Sequence, residues 1–213
     1  MNDELQGKKV AFMVSNEGVE EVELRKPWEA LEQAGAELTL IAPVQGMVQA
    51  FDHLDKGGEY PVDKVVADTD VEEYDCLVLP GGVANPDQLR TDAMAISLIK
   101  DFYTEGKTVA AVCHAPWTLV EAGLVKDKTL TSWPSLHTDI ENAGGHWVDE
   151  QVHIDDNLIT ARKPDDLEAF ADAIIDSIRA LPEVEGDSQI AMAPEEQSDT
   201  ETEAAPMNAA PIM

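Results

Sequence analysis

Residues 108–116 read Thr-Val-Ala-Ala-Val-Cys-His-Ala-Pro, a short apolar run that ends at a cysteine. The run is typical of a buried strand, and a helical pattern follows it. Because a helix N-terminus carries unpaired N–H groups and a partial positive charge, a thiol at such a junction can be held as a thiolate. Cys113 is therefore a candidate nucleophile, with His114 beside it. Free cysteine is also a common core residue, so this stretch alone leaves both roles open.

The rest of the chain alternates between strand and helix patterns. Core strands are predicted at residues 8–15, 36–42, 75–80 and 108–112, and helices at 22–34, 93–103, 114–122, 136–143 and 164–180. A hairpin excursion is predicted within 43–73, a short strand at 130–132, and a strand pair at 152–154 and 158–161. Repeated strand–helix–strand units are typical of an α/β fold, a mostly parallel sheet covered by helices.

The length and composition fit one main domain, since 213 residues with 44% hydrophobic content support a single large core. We place this domain at residues 8–182, after an N-terminal extension of residues 1–7. Residues 183–213 contain no lysine, arginine or aromatic residue. They bring too little apolar surface to offset the entropy of ordering, so we expect an acidic, disordered tail.

The chain is strongly acidic, with 43 aspartates and glutamates, 14 lysines and arginines, and a formal net charge of −29. Docking on nucleic acid requires basic side chains that displace counterions, so we expect no nucleic-acid partner. Such a charge suits high salt, where it is screened, and this predicts a halophilic source. The start of the chain has no apolar stretch of signal length, and no later segment is typical of a membrane span. We therefore expect a soluble, cytoplasmic protein with both cysteines reduced.

Three segments that bear glycine or acidic residues follow predicted strands, at Asn16–Glu20, Pro80–Asp87 and Cys113–Pro116. Ligand crevices of open α/β sheets lie at the carboxyl ends of the strands, so these segments are expected to converge. Glu20 opens the first helix, and Gly81 and Gly82 allow backbone N–H groups to approach an oxyanion because no side chain intervenes. Together they fit a covalent mechanism.

The order and spacing of four motifs resemble the PfpI intracellular protease family of the ThiJ/PfpI superfamily. They are Asn16-Glu17 with Glu20-Glu21-Val22-Glu23-Leu24, Leu77-Val78-Leu79-Pro80-Gly81-Gly82, Ala111-Val112-Cys113-His114-Ala115-Pro116, and Thr160-Ala161-Arg162-Lys163-Pro164-Asp165-Asp166-Leu167. The resemblance covers residues 8–180. It implies a class I glutamine amidotransferase-like fold, a flavodoxin-like three-layer sandwich with a nucleophile elbow.

The resemblance also implies roles for individual residues. Cys113 is then the nucleophile in a strained turn, Glu20 lies beside its sulfur, and His114 is the general base or proton carrier. Backbone N–H groups of Gly82 and His114 form the oxyanion hole. Asp87 orients the histidine of an adjacent subunit, so we expect a homo-oligomer, a dimer or a hexamer.

Several alternatives remain open at this level. Ala115 stands where many relatives have glycine, and Gly18-Val19 suggests one extra residue before the acid, which leaves Glu17 as a rival to Glu20. Glu20 could instead be an ordinary first-turn acid that favours the helix dipole. As a partner of a thiolate it must carry a proton, because two nearby anions raise each other's pKa. Asp87 could merely cap the helix after Pro86.

The remaining candidates are assigned structural roles. Cys76 lies inside an apolar run and is predicted to be an inert core residue. The spacing of His137, His146 and His153 does not match a metal site, so we expect no metal and no cofactor. The four tryptophans are expected to pack, with Trp117 and Trp133 as candidates for the crevice mouth.

We therefore expect a cysteine-dependent, stress-protective enzyme that acts on small aldehydes or glycated adducts, like the glyoxalases and deglycases of the family. An intracellular cysteine peptidase acting on peptides is the alternative with the same nucleophile. A redox sensor or chaperone-like protein, in which Cys113 is oxidised without turnover, is the alternative from another class.

Overall fold

The computed structural model describes residues 4–181, and within them a central seven-stranded sheet carries the fold. Twelve strands are described: β1 Lys9–Met13, β2 Glu17–Glu20, β3 Glu37–Ala42, β4 Met47–Asp52, β5 Asp55–Pro61, β6 Lys64–Val65, β7 Cys76–Leu79, β8 Thr108–Val112, β9 Thr129–Leu130, β10 His146–Trp147, β11 Val152–Asp155 and β12 Leu158–Ala161. Six α-helices are described: α1 Glu21–Gln33, α2 Ala84–Leu89, α3 Ala93–Thr104, α4 Pro116–Ala122, α5 His137–Asn142 and α6 Leu167–Arg179.

The strand order in the central sheet is β11-β12-β8-β7-β1-β3-β6. Its neighbouring strands pair in parallel except for β11, which runs antiparallel to β12. Strands buried on both faces need near-continuous apolar sequence, and the Thr-Val-Ala-Ala-Val run of β8 is buried at every position. The predicted mostly parallel α/β sheet is confirmed.

Helices cover both faces of this sheet and form two cores. On one face α1 and α6 pack Leu31, Phe170 and Ile174 against alternate residues of the central strands. On the other face α3 and α4 contribute Phe102 and Leu119 to the second core. Because side chains alternate across a strand, each central strand serves both cores, and the result is a three-layer sandwich. Between residues 4 and 181, no helix combines the length and apolar character that a membrane crossing requires.

Two of the three segments that follow predicted strands contain regular structure of their own. The segment Asn16–Glu20 contains strand β2, which pairs in parallel with β4 and has a bulge at Gly18, where φ is +104°. A side chain at Gly18 would place its Cβ 2.6 Å from the Cβ of Ala84, so glycine allows the two segments to touch. The segment Pro80–Asp87 contains the start of helix α2, which begins at Ala84, whereas the sequence analysis considered a helix only after Pro86.

The excursion between β3 and β7 contains the predicted hairpin. Strands β4 and β5 pair antiparallel, and β2 adds to β4 to form a separate three-stranded sheet. Pairing of Glu20 with Phe51 brings the hairpin turn beside the beginning of α1. The hairpin therefore forms one side of the cleft at the carboxyl edge of the central sheet.

Helix α1 contains a proline at an interior position, Pro27. Proline has no N–H, so the carbonyl of Glu23 has no donor from the residue four positions later. The helix nevertheless continues to Gln33, because Leu24, Pro27 and Leu31 pack as one buried face. Packing therefore outweighs the lost hydrogen bond.

The predicted N-terminal extension and the predicted C-terminal tail differ in how much of each the structure describes. Residues 4–7 fall in the predicted extension, yet Leu5 is fully buried and donates its N–H to Ala34 at 2.8 Å. This part of the extension is packed into the core of the domain. The predicted disordered tail, residues 183–213, lies outside the described residues.

A fully buried asparagine ties together the loops after β1 and β7. The side chain of Asn85 accepts from the N–H of Ser15 at 2.6 Å and donates to the carbonyls of Pro80 at 2.8 Å and Gly81 at 3.1 Å. Without Asn85 the buried N–H of Ser15 and the carbonyl of Pro80 would lose these partners, which is costly, while the carbonyl of Gly81 would keep the N–H of Glu20 at 3.3 Å. Asn85 therefore fixes the carboxyl end of β1 relative to the loop that bears Gly81.

We expect Asn85→Ala to lower the free energy of unfolding by about 2–4 kcal/mol, because it leaves the buried N–H of Ser15 and the carbonyl of Pro80 without these partners and removes one of two donors to the carbonyl of Gly81. Urea denaturation followed by circular dichroism measures the change. Gln88→Ala is the matched control, since Gln88 is exposed on the same helix. Equal stability of the two variants would contradict the role given to Asn85.

Candidate active site

Cys113 lies in a strained turn directly after β8. Its φ is +62°, a left-handed value that side chains other than glycine seldom adopt. Two main-chain hydrogen bonds hold the turn: the N–H of Cys113 donates to Ala161 at 3.1 Å, and its carbonyl accepts from Trp133 at 2.8 Å. The thiol, in a residue 6% exposed, reaches a cleft of about 840 Å³.

The carboxyl group at this thiol belongs to Glu23. Glu23 is fully buried, its Oε2 accepts from the N–H of Gly81 at 2.9 Å, and its carboxyl group lies beside the thiol of Cys113. Its Oε1 has no partner that satisfies hydrogen-bond geometry among the described residues. A buried oxygen of this kind is best accounted for as the protonated one, which can donate to the sulfur.

This arrangement corrects the prediction that Glu20 lies beside the sulfur. Glu20 is the N-cap residue of α1, and its carboxylate accepts from the N–H of His53 at 3.2 and 3.4 Å. The chain stays extended through β2, so the helix starts one residue after Glu20 and its third residue, Glu23, turns toward the sheet. The rival acid, Glu17, is exposed at the rim of the cleft.

The sequence contained a signal for Glu23 that the analysis missed. Residues 23, 27 and 31 recur at helical spacing and share the buried face of α1. An acidic residue on an otherwise apolar helix face is the anomaly that marks a special role, because buried carboxyl groups are rare without a partner. The acidic run Glu20-Glu21-Val22-Glu23 hid this signal, since only the position of the helix start separates its members.

Glu23 and Cys113 titrate as a coupled pair. Burial raises the pKa of Glu23 to about 7, while hydrogen bonds from Cys113 and Gly81 oppose this shift. Burial and the charge of Glu23 raise the pKa of Cys113, and the N–H groups of Gly82 and His114 oppose that shift. Near neutral pH, one proton shared between the two groups avoids two buried anions. The thiolate of Cys113 therefore forms only while that proton resides on Glu23, which removes the opposing negative charge.

His114 is packed between two indoles beside the sulfur. Its Nδ1 lies 3.2 Å from the Sγ of Cys113 and its Nε2 lies 3.4 Å from the Oγ of Ser135. The ring stacks on Trp133 with centroids 5.8 Å apart and lies 5.3 Å from Trp117. Burial lowers the pKa of His114, so the imidazole is neutral at neutral pH and can accept a proton.

The glycine pair before α2 closes the site from the other side. A side chain at Gly81 would bring a Cβ within 2.6 Å of Glu23, 2.7 Å of the carbonyl of Val112 and 2.8 Å of Cys113. Gly82 has a φ of +85°, and a Cβ at this position would lie 2.5 Å from the carbonyl oxygen of Gly18. Only residues without side chains allow this approach, which brings the N–H of Gly82 to the sulfur.

The other predicted residues fall outside this cluster. Asp87 is exposed on α2 and lines the cleft of its own chain, so a role in an adjacent subunit stays a prediction. Cys76 is fully buried in β7, and burial raises the pKa of its thiol. His137 and His153 each pair with a glutamate on the surface rather than with one another.

The raised pKa of Glu23 has a consequence for stability. Between its ordinary pKa of 4.5 and about 7, the folded protein binds more protons than the unfolded chain, so the free energy of unfolding falls as pH rises. The contribution of this group amounts to about 3 kcal/mol at most. We expect Glu23→Gln to flatten the profile of unfolding free energy between pH 5 and pH 8, as measured by chemical denaturation.

The control is Glu17→Gln, which removes an exposed acid from the same cleft and should leave the slope of the profile unchanged. Parallel profiles for the wild type and Glu23→Gln would contradict the assignment of a raised pKa to Glu23.

Comparison with known protein families gives a match over most of the chain. A sequence model described as the DJ-1/PfpI family matches residues 8–177. The chain belongs to this family. The resemblance drawn from the elbow, the glycine pair and the first helix is thereby confirmed, and so is the fold that it implies.

Individual relatives of the DJ-1/PfpI family carry two kinds of name. Deglycase PH1704 from Pyrococcus horikoshii is 37% identical over 162 residues, which cover 76% of this chain and 94% of that protein. YraA from Bacillus subtilis, provisionally named a cysteine protease, is 36% identical over 163 residues with the same coverage of both chains. The structure of DJ-1beta from Drosophila melanogaster is 28% identical, covers 81% of this chain and 90% of that one, and superposes with a TM-score of 0.74.

Proposed function

We propose that this chain is a cysteine-dependent enzyme that converts reactive dicarbonyls, or their adducts with amines, into hydroxyacids. The observation that carries the proposal is the position of the Cys113 sulfur, which lies in a strained turn within reach of a protonated carboxyl group, a neutral imidazole and two main-chain donors. The deglycase names of relatives support the choice of substrate class.

Methylglyoxal illustrates the first step. With the shared proton on Glu23, the thiolate of Cys113 attacks the aldehyde carbon, a carbon–sulfur bond forms, and the carbonyl oxygen becomes an oxyanion. In this proposal the N–H groups of Gly82 and His114, which are directed at the sulfur, stabilise that oxyanion. Protonation of the oxyanion gives a hemithioacetal.

The second step moves hydrogen within the substrate. His114, neutral because it is buried, takes the proton from the former aldehyde carbon and returns a proton to the neighbouring carbon. The aldehyde carbon is thereby oxidised and the ketone carbon reduced, so no external oxidant is needed. Water then hydrolyses the resulting thioester, releasing lactate and the free thiol. With an amine adduct as substrate, the amine is released as well.

We expect the wild type to form lactate from methylglyoxal and Cys113→Ala to lose at least about a hundredfold in rate, since the variant removes the nucleophile. Enzymatic determination of lactate measures the rate. Cys76→Ala is the matched control, because it removes the other thiol of the chain from a site far from the cleft, and it should keep its activity. Indistinguishable rates for the wild type and Cys113→Ala would end the proposal.

Peptide hydrolysis is the second candidate, because the same cysteine and histidine can form an acyl-enzyme and a relative is provisionally named a cysteine protease. A fluorogenic peptide tested on the same three proteins separates the two activities. Peptide turnover that depends on Cys113, without lactate formation, would favour this second function over the first.

A redox role without turnover makes a different prediction. Mild peroxide should then add oxygen to Cys113 and spare Cys76, which is fully buried, as judged by intact mass and peptide mapping. Oxidation together with inactivity toward both substrates would favour a sensor. Equal oxidation of the two cysteines would contradict it.

The family resemblance also supports a site shared between subunits, in which Asp87 orients the His114 of a neighbouring copy. Asp87 is exposed and stands at the edge of the cleft, where a second chain can reach it. If this role is real, Asp87→Asn reduces turnover while the oligomer, measured by light scattering, stays intact. An active monomer would contradict it.

A further inference from the structure

A second group of ligating side chains stands at the rim of the cleft, where the hairpin turn after β4 meets the start of α1. The Nδ1 of His53 lies 4.0 Å from the Oε1 of Glu20. One ligand atom from each of Glu20, Asp52 and His53 lies within 4.8 Å of the other two. Glu20 is far in the sequence from the adjacent residues Asp52 and His53, and they meet because β2 pairs with β4, which explains why histidine spacing did not reveal the group.

The carboxylate of Glu20 is incompletely satisfied for a buried group. Glu20 is 9% exposed, and the hydrogen bonds described for its carboxylate come from one donor, the N–H of His53. An ionised carboxylate offers about four acceptor positions, and buried charges are paired or coordinate metals. Within the described residues, the lining of this cleft includes Glu17, Glu20, Glu23 and Asp87 but no lysine or arginine. The carboxylates of this lining therefore face no lysine or arginine side chain.

His53 is not accounted for by packing. Its side chain is 85% exposed, and its φ of +55° is one that glycine adopts at no cost. Its N–H holds the carboxylate of Glu20, while its imidazole remains beside that same carboxylate. The turn thus supplies a nitrogen ligand from His53 and an oxygen ligand from Asp52, and Glu20 at the start of α1 supplies a second oxygen ligand close to both.

The distances suit an ion after a small closure. Zinc–ligand bonds of about 2.1 Å place two ligand atoms at most about 4.2 Å apart. The three ligand atoms lie within 4.8 Å of one another, and Asp52 and His53 are exposed side chains that can move closer to Glu20. A mixed set of imidazole and carboxylates favours a divalent transition ion over magnesium, which prefers oxygen ligands alone.

We propose that Glu20, Asp52 and His53 bind a divalent transition-metal ion of the zinc type at the rim of the cleft that holds Cys113. Three protein ligands leave at least one position of the ion for water or for an oxygen atom of a substrate. Because Glu20 and His53 line the same cleft as the thiol, the ion adds positive charge to an acidic entrance. This site is separate from the Cys113 cluster and does not depend on the proposed dicarbonyl chemistry.

The test is calorimetric titration of the untagged full chain with zinc chloride, carried out on Cys113→Ala so that the thiol cannot act as a ligand. We expect saturable binding of one ion per chain and no comparable binding of magnesium. Introducing His53→Gly, which suits the turn, or Glu20→Gln, which keeps the size of the side chain, should weaken the affinity by at least about tenfold. Circular dichroism checks that both variants stay folded.

The matched control is His137→Ala, which removes a histidine that also lies beside a carboxylate, with its Nε2 3.0 Å from Glu141 on an exposed helix. This variant should bind zinc as tightly as the Cys113→Ala parent. Absence of saturable binding, equal affinity for magnesium, or affinity unchanged in both His53→Gly and Glu20→Gln would overturn the proposal.

Discussion

The buried contact between the carboxyl group of Glu23 and the thiol of Cys113 is the constraint around which the site is built. Two groups that both ionise in water share a volume from which water is largely excluded, so they cannot both be charged at low cost. Main-chain N–H groups decide where the charge resides, with Gly81 donating to Glu23 and Gly82 and His114 directed at the sulfur. The proposed nucleophile thus depends on main-chain donors, since the described residues that line its cleft include no lysine or arginine.

The fold keeps these groups in place through ties between strand ends. Cys113 is bonded on one side to Ala161 of β12 and on the other to Trp133, while Asn85 joins the loops after β1 and β7. Each tie satisfies a buried main-chain group, so loosening one exposes a polar atom rather than merely removing a contact. The strained φ of Cys113 persists because the surrounding bonds over-determine it.

The sequence was sufficient for those features that depend on local pattern. The apolar runs of β1, β3, β7 and β8 and the helical periodicity of α3 and α6 predicted the sheet and its cover, because burial on both faces demands such runs. The elbow followed from the junction at Cys113. The wrong prediction, that Glu20 lies beside the sulfur, depended on the exact residue at which α1 starts, because the start decides which acid faces Cys113. The boundaries of helices and strands are the least reliable part of a prediction from sequence.

Contacts between segments that are distant in the sequence could not be predicted from sequence patterns. The proximity of Glu20 to His53 requires that β2 exist and pair with β4, and β2 is a four-residue strand with a bulge. The role of Asn85 likewise depends on which loops meet. His53 and Asn85 do not interrupt a periodic sequence pattern, and they do not belong to a motif with fixed spacing.

Pro27 has a mechanical consequence for the acid at the centre of the site. Since the carbonyl of Glu23 has no partner in the helical ladder, the first turn of α1 is joined to the remainder of the helix by one link fewer. The side chain of Glu23 in that turn is also held from outside the helix, by the N–H of Gly81 at 2.9 Å. The position of Glu23 is therefore fixed both by helix α1 and by the loop at the carboxyl edge of the sheet, the edge at which Cys113 lies.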